Sequence, residues 1–352
     1  MLQLTMANKK IIQETLTFDD VLIRPSRSEI EPREASLRAV FVSGISMSVP
    51  FLSAAMDRVT EDEAAIALYK AGGLGIIHRN CTIDQQVAMV RKAKKAGAKV
   101  GAACGPFDMD RAVRLRDAGV DIICIDCAHG HNLNVIKSAK KIKRVLGKLP
   151  LIVGNIATAE AVRDLHGVAD AVKVGVGPGS ICTTRIVSGV GVPQLSAIME
   201  VAEEAHACGM QVIADGGIKN SGDIAKALAA GADLVMLGNL FAGCDECPGK
   251  LIKKNGKAYK EYRGMGSRSV LDEKQSSDRY LVNGRKAVAE GVEGLVPCKG
   301  PIGEVVQELA SGVQVAMGYV GARNLAEFRK NAHFVKITSA SQAENRPHSI
   351  LM

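Results

Sequence analysis

DAVKVGVGPGSICTTRIVSGVGVPQ, residues 170–194, breaks from an apolar run into glycines, presents one cysteine, and continues into hydroxyl and basic side chains. Ala171–Val176 is a short β-rich run of the kind buried on both faces of a parallel sheet, and Gly177, Pro178 and Gly179 end it abruptly. Cys182 therefore falls just past the carboxyl end of a strand. A backbone this rich in glycine can come close to a ligand and aim several amides or carbonyls at one point, which suits a phosphate or a bare cation. Ser180, Thr183, Thr184 and Arg185 add polar contacts beside the thiol. The plainer reading is a tight strand-to-helix turn with an incidental buried cysteine, and this stretch alone leaves both open.

The same pattern recurs on both sides of it. Candidate strands are Pro50–Ala55, Gly73–His78, Lys99–Cys104, Ile122–Cys127, Pro150–Asn155, Ala171–Val176, Gln211–Gly216 and Leu234–Asn239. Helical periodicity separates them at Glu61–Ala71, Ile83–Lys95, Asp108–Ala118, Asn132–Leu146, Thr158–His166, Gln194–Cys208 and Ser221–Ala230, with a last helix at Ile302–Val320. Eight strands each followed by a helix predict a single (β/α)8 TIM barrel over the 352 residues. From 243 to 300 the periodicity is lost, and the segment is too long for an ordinary connection. Its glycines with interspersed Arg, Tyr and Glu predict a flap inserted after strand eight. Lys92–Lys99 is a short surface linker with solvated charges.

A barrel of this kind draws its active site from the carboxyl ends of its strands. Those ends carry Met56 and Asp57, His78, Arg79 and Asn80, Asp126, Gly154 and Asn155, then Asp215-Gly216-Gly217 and Gly238-Asn239. Glycine turns after strands seven and eight, together with Ser180, form a candidate phosphate grip. The Asp215 carboxylate can accept from two ribose hydroxyls, so a nucleotide would lie across strands six to eight.

Composition is globular, with 47% hydrophobic and 23% charged residues. No apolar run is long enough to span a bilayer and no secretion signal is legible, which points to a cytoplasmic protein. Net charge is +8, which favours anionic ligands, but with no Trp, seven Phe and five Tyr there is little to stack bases on, which argues against a dedicated nucleic-acid role. Nine cysteines without a signal imply reduced thiols. Cys124 and Cys127 sit three apart on a strand and point to opposite faces, so they cannot share a metal. Cys244 and Cys247 lack a second pair at metal-binding spacing.

The residues resemble the inosine-5′-monophosphate dehydrogenase family across nearly the whole chain. The matching stretches are FDDVLIRPSRSEI (18–30), SAAMDRVTE (53–61), GGLGIIHRN (72–80), AHGH (128–131), GNIAT (154–158), KVGVGPGSICTTRIVSGVGVPQ (173–194), IADGGIKNSGDIAKALAAGAD (213–233), YRGMGS (262–267), SSDRY (276–280) and EGVEGLVPCKGP (290–301). The resemblance implies that Cys182 attacks C2 of the hypoxanthine ring, that a hydride passes to NAD, and that water hydrolyses the covalent thioimidate. It places Ser180, Gly217, Gly238 and Tyr262 at the phosphate, Asp215 at the ribose, and Met265, Gly266 and Glu290 at the purine, with Gly264 also among the substrate-binding residues. Asp126, Asn155 and Gly175 fall on the nicotinamide side. The carbonyls of Gly177, Gly179 and Cys182, with Glu344 of an adjacent subunit in a homotetramer, would hold a potassium ion. Arg279 and Tyr280 would be delivered by the flap to activate water, with Thr184 as a relay or alternative base. Two positions depart from the family pattern: Ala54 and Asn239 each stand where a serine is common, the second in the phosphate loop. The family's regulatory CBS insert is absent, since only Lys92–Lys99 stands at its usual place. A related barrel, guanosine-5′-monophosphate reductase, shares GPGSICTTR and PQLSA (193–197) and uses NADPH, but has no use for an Arg-Tyr pair. A non-catalytic nucleotide- or RNA-binding barrel is the remaining reading.

Overall fold

The computed structural model describes residues 14–273, 288–345 and 347. Eight parallel strands close into a barrel in chain order: β1 (Phe51–Ser53), β2 (Leu74–Ile77), β3 (Gly101–Cys104), β4 (Ile122–Asp126), β5 (Leu151–Ile156), β6 (Ala171–Val174), β7 (Gln211–Asp215) and β8 (Leu234–Leu237). Closure is made where Val235 of β8 pairs with Phe51 of β1. The helices α1 (Asp62–Lys70), α2 (Ile83–Lys95), α3 (Met109–Asp117), α4 (Leu133–Leu146), α5 (Ala159–Leu165), α6 (Gln194–Ala207), α7 (Ser221–Ala229) and α8 (Ile302–Val320) cover the outside. The expected (β/α)8 barrel is therefore the fold.

Alternation along each strand divides its side chains between two compartments. Leu52, Leu74, Ile76, Ala103, Ile122, Cys124, Ile152, Ala171, Ile213, Leu234 and Met236 fill the barrel interior. Their neighbours of opposite parity, such as Phe51, Ile77, Ala102, Ile123, Val153, Val172 and Val235, pack under the helices. Cys124 belongs to the inner set and Cys127 to the outer one, as their spacing requires.

β6, β7 and β8 stop one or two residues before the predicted ends, where glycines leave the ladder, whereas β3 ends at the predicted Cys104 and β5 runs one residue past the predicted Asn155. At β6, Gly175 takes φ 148° and sends its amide to the Ile156 carbonyl. A Cβ there would lie 2.0 Å from the Asp215 carbonyl oxygen, so glycine is demanded by both φ and close approach.

Several elements lie outside the periodic reading. A hairpin, Ala39–Phe41 with Ile45–Met47, inserts Phe41, Ile45 and Met47 into the same cluster as the barrel interior and plugs one end. Val21–Ile23 pairs with Phe334–Lys336, tying the two ends of the chain together. The 243–300 segment, read as patternless, holds a three-stranded antiparallel sheet of Leu251–Lys254, Lys257–Arg263 and Glu293–Pro297. Its first turn is Asn255-Gly256, both at positive φ (51° and 74°), the hairpin signature that the sequence does carry. Lys92 and Lys94 belong to the last turn of α2 and are not simply solvated: Lys92 pairs with Asp62, and Lys94 Nζ is 2.7 Å from Asp121.

Candidate active site

A cavity of about 410 Å³ opens at the carboxyl end of the barrel. Its wall is formed by the loop after β6, the turns after β7 and β8, the ends of β4 and β5, and the 262–266 and 290 segments of the inserted sheet. Every predicted binding residue among Ser180, Cys182, Thr184, Asp215, Gly217, Gly238, Asn239, Tyr262, Gly264, Met265, Gly266, Glu290, Asp126, Asn155, Gly175, Gly177 and Gly179 lies on it. Glu344 does not; it ends the turn at Ser341–Ala343. Arg279 and Tyr280 lie outside the described residues. The strand-end residues Asp57, His78, Arg79 and Asn80 are buried behind the cavity and do not line it.

Cys182 is half-buried. Its Sγ is 3.1 Å from Thr184 Oγ1, and Thr184 Oγ1 donates to Glu290 Oε2 at 2.8 Å. A hydroxyl has one hydrogen, and here it is committed to Glu290, so its oxygen faces the thiol as an acceptor. Backbone contacts fix this chain: the Thr183 amide donates to the Glu290 carbonyl (2.9 Å), the Glu290 amide to Gly266 (3.0 Å), and the Val292 amide to Ile181 (2.9 Å). Gly264 and Gly291 make the seam possible, since a Cβ on Gly264 would lie 3.2 Å from the Ile181 carbonyl oxygen and 3.3 Å from Gly291 Cα. The inserted sheet is thus stitched to the cysteine loop.

The Tyr262 hydroxyl approaches Met56 Sδ at 3.9 Å and Gly238, and burial pushes its pKa up to about 12, against the opposing effect of a hydrogen bond with Ser180. It stays a neutral donor at physiological pH, next to Ser180 and the glycine turns where an anion would sit. Arg185 also lines the cavity, and its guanidinium braces the loop by hydrogen bonds to the carbonyls of Val176 (3.1 Å) and Val192 (2.6 Å).

The neutral carbonyls of Gly177, Gly179 and Cys182 lie in one tight loop, and Gly179 O also accepts the Cys182 amide at 3.0 Å. This donor set has the chemistry that a weakly charged cation takes. Among the described residues no cluster of three or more His, Cys, Asp or Glu forms a metal site. Cys244 and Cys247 are buried, and burial pushes the Cys244 thiol up to about 12 and the Cys247 thiol higher. Their turn is instead held by Lys260, whose Nζ donates to the carbonyls of Cys244 (2.7 Å), Asp245 (2.8 Å) and Cys247 (2.6 Å).

Two groups went unread in the sequence. Lys173 sits at the cavity floor between Asp126 and Asp215, and a lone charge inside an apolar strand was its only signal. Arg263 joins Asp57 (Nε to Oδ2, 3.0 Å) to Glu273 (2.8 Å), and Asn80 also donates to both carboxylates at 3.0 Å. Nothing local announces that pairing, because Asp57 and Arg263 are 206 residues apart.

A barrel whose strand-end cavity brings a half-buried thiol, glycine turns, a tyrosine hydroxyl and a carboxylate together has the composition of an enzyme site for a polar, anionic ligand. The chain belongs to the IMP dehydrogenase / GMP reductase family, whose domain matches residues 15–348. It is similar to the inosine-5′-monophosphate dehydrogenase of Borreliella burgdorferi, at 43% identity over 97% of this chain and 98% of that protein. It is also similar to the enzymes of that name from Cryptosporidium parvum (40%, covering 97% and 96%) and Methanocaldococcus jannaschii (39%, covering 98% and 97%). The last alignment runs over 483 positions against 352 residues here, so that relative carries residues without counterparts in this chain. The chain's length fits a form without the CBS insert, and α2 passes to β3 through residues 96–100 alone.

Proposed function

We propose that the protein oxidises inosine 5′-monophosphate to xanthosine 5′-monophosphate with NAD, supplying guanine nucleotide biosynthesis. The observation that carries this reading is the Cys182–Thr184–Glu290 chain opening onto the cavity that also holds Ser180, Tyr262 and Asp215. The thiol gives its proton toward Thr184 and attacks C2 of the purine, and the C2 hydrogen leaves as hydride to the nicotinamide. Water then adds to C2, the sulfur departs, and the net products are xanthosine nucleotide, NADH and one proton. Ser180, Gly217, Gly238 and Tyr262 hold the phosphate, with Asn239 in the same turn. Asp215 holds the ribose, and Gly264, Met265, Gly266 and Glu290 hold the base. Asp126, Asn155 and Gly175 face the nicotinamide half. Potassium fits the carbonyls of Gly177, Gly179 and Cys182, completed by Glu344 from a neighbouring copy in a homotetramer. The protein would act in the cytoplasm; among the described residues no helix is long and apolar enough to cross a membrane.

The test is to mix the protein with the inosine nucleotide and NAD, and separately with the guanosine nucleotide and NADPH. NADH formation in the first is expected; NADPH consumption with ammonia release in the second would assign the reductase activity instead. Cys182→Ala should lower turnover by about 10³-fold or more while nucleotide still binds. Arg279→Ala should preserve the first burst of NADH and slow steady turnover, and equal loss of both would remove Arg279 from the hydrolytic step. Replacing potassium by lithium should depress turnover if the carbonyl loop holds the larger ion.

A further inference from the structure

The floor of the cavity is a polar layer contributed by four consecutive strands. Ala171 and Lys173 of β6 share the inward parity, as do Cys124 and Asp126 of β4 and Ile213 and Asp215 of β7. Gly154 of β5 leaves room for the lysine stem, since a Cβ there would meet Lys173 Cβ at 2.6 Å. The Lys173 side chain is only 3% exposed, and its Nζ donates to Asp126 Oδ1 (3.1 Å), Asp215 Oδ2 (2.7 Å) and Asn155 Oδ1. An ammonium has three donors, and all three are used. Burial is the largest single influence and favours neutral lysine, but the Asp215 carboxylate and the other groups around the ammonium together outweigh it, and the pKa lies above the ordinary value. The Asn155 amide then donates to Asp215 Oδ2 (3.0 Å) and to the Gly175 carbonyl (2.6 Å). One oxygen of Asp215 is thereby committed to the floor, while the side chain keeps 21% exposure on the cavity wall.

One cation thus serves two carboxylates, which face different halves of the proposed ligand pair. We propose that Lys173 is a positioning residue that holds Asp215 toward the nucleotide ribose and Asp126 toward the dinucleotide, and so couples occupancy of the two half-sites. The inference rests on the assignment of those two aspartates under the proposed function. Its physical basis is that hydrogen bonds from a ribose draw on Asp215 and change the share of the ammonium left to Asp126, in a site where charges are weakly screened. By linkage the effect is reciprocal, and couplings of this kind run to about 5–150-fold in affinity.

The experiment measures inosine nucleotide affinity with and without NAD in the non-turning Cys182→Ala protein, then with Lys173→Met, Lys173→Arg and Lys173→Met/Asp126→Asn added. In the parent, NAD should weaken nucleotide binding at least about fivefold, because a dinucleotide donor on Asp126 returns the ammonium to Asp215 and makes it a poorer acceptor for the ribose. Lys173→Met should weaken nucleotide binding by more than about tenfold and abolish the NAD dependence, because the ammonium that joins the two carboxylates is gone and Asp215 loses its buried cation beside a second carboxylate. The added Asp126→Asn change removes the surplus charge and should recover most of the nucleotide affinity without the dependence. Lys173→Arg keeps the charge and should retain affinity within about threefold with a reduced dependence, since a planar fork cannot reproduce a tetrahedral donor. If Lys173→Met does not fold, the charge-balanced double variant and Lys173→Arg still decide the matter. An unchanged NAD dependence in either, or no recovery from Asp126→Asn in a folded Lys173→Met protein, overturns the coupling. Wild-type protein that forms no NADH overturns the functional reading, and the coupling with it; a competent wild type beside an unresponsive Lys173 series overturns the coupling alone.

Discussion

At the scale of single residues, the Thr184 hydroxyl is the hinge between thiol and carboxylate. Thr184→Val keeps the shape and deletes the acceptor at 3.1 Å from Cys182, so turnover should fall by about 10²-fold while nucleotide affinity changes little. Steady-state rates alongside nucleotide titration separate the two effects, and a matched loss of affinity would mean the hydroxyl serves binding. Gly175→Ala should be far more damaging to the fold, by about 3 kcal/mol or more, because it combines φ 148° with a Cβ 2.0 Å from a backbone oxygen that cannot move aside. Chemical denaturation would read that loss. Thiol chemistry distinguishes the cysteines: burial pushes Cys81 up to about 11 and Cys244 to about 12, so at pH 8 iodoacetamide should modify Cys182 long before either. Cys182 was legible in the sequence as a residue beyond a glycine break. Its partner Glu290 was reached only through family resemblance, because 106 residues separate it from Thr184.

Among the elements, the inserted sheet depends on a buried ionic knot. Arg263 ties the strand that leads into Gly264–Ser267 to Asp57 beyond β1, and the Asp57 side chain is only 5% exposed. Burial acts to raise the Asp57 pKa, but the Arg263 guanidinium and the Asn80 amide more than offset it, and the carboxyl lies below its ordinary value. The stability this supplies is present above about pH 3.8, the unfolded value, and is lost as pH falls through the lower folded pKa. Arg263→Ala strands the buried charge and should cost about 3–5 kcal/mol near pH 7. In that variant burial dominates and the Asp57 pKa rises above the unfolded value, so protonation relieves the penalty. The stability gap to wild type should therefore narrow as pH is lowered toward 4, and a gap that is constant with pH would show that lost packing, not charge, carries the cost. The hairpin at Asn255-Gly256 was readable in principle, since two positive φ angles select these residues. The third strand of that sheet, Glu293–Pro297, was not, because its pairing with Lys257–Arg263 closes a loop of some thirty residues whose length no local rule sets.

For the whole molecule, strand count, inward and outward alternation and the glycine breaks are properties of the chain read a few residues at a time. They follow from backbone sterics and burial, which act locally, and from them the barrel, its catalytic rim and the position of Cys182 were already determined. Which side chains meet across the barrel is a different matter, set by how the strands stagger when β8 closes on β1. That stagger puts Asp126, Asn155, Lys173 and Asp215 in one layer, and the plug of Phe41, Ile45 and Met47 at the other end. Outside the barrel, the fold of the inserted sheet brings the Lys260 ammonium onto the carbonyls of the Cys244–Cys247 turn. Sequence by itself determined the fold and the place of Cys182 just past the sixth strand, because both are written in short-range periodicity. Only the tertiary structure decided the ionic floor of the cavity and the knot behind it, because buried charges must find partners wherever the closed barrel brings them.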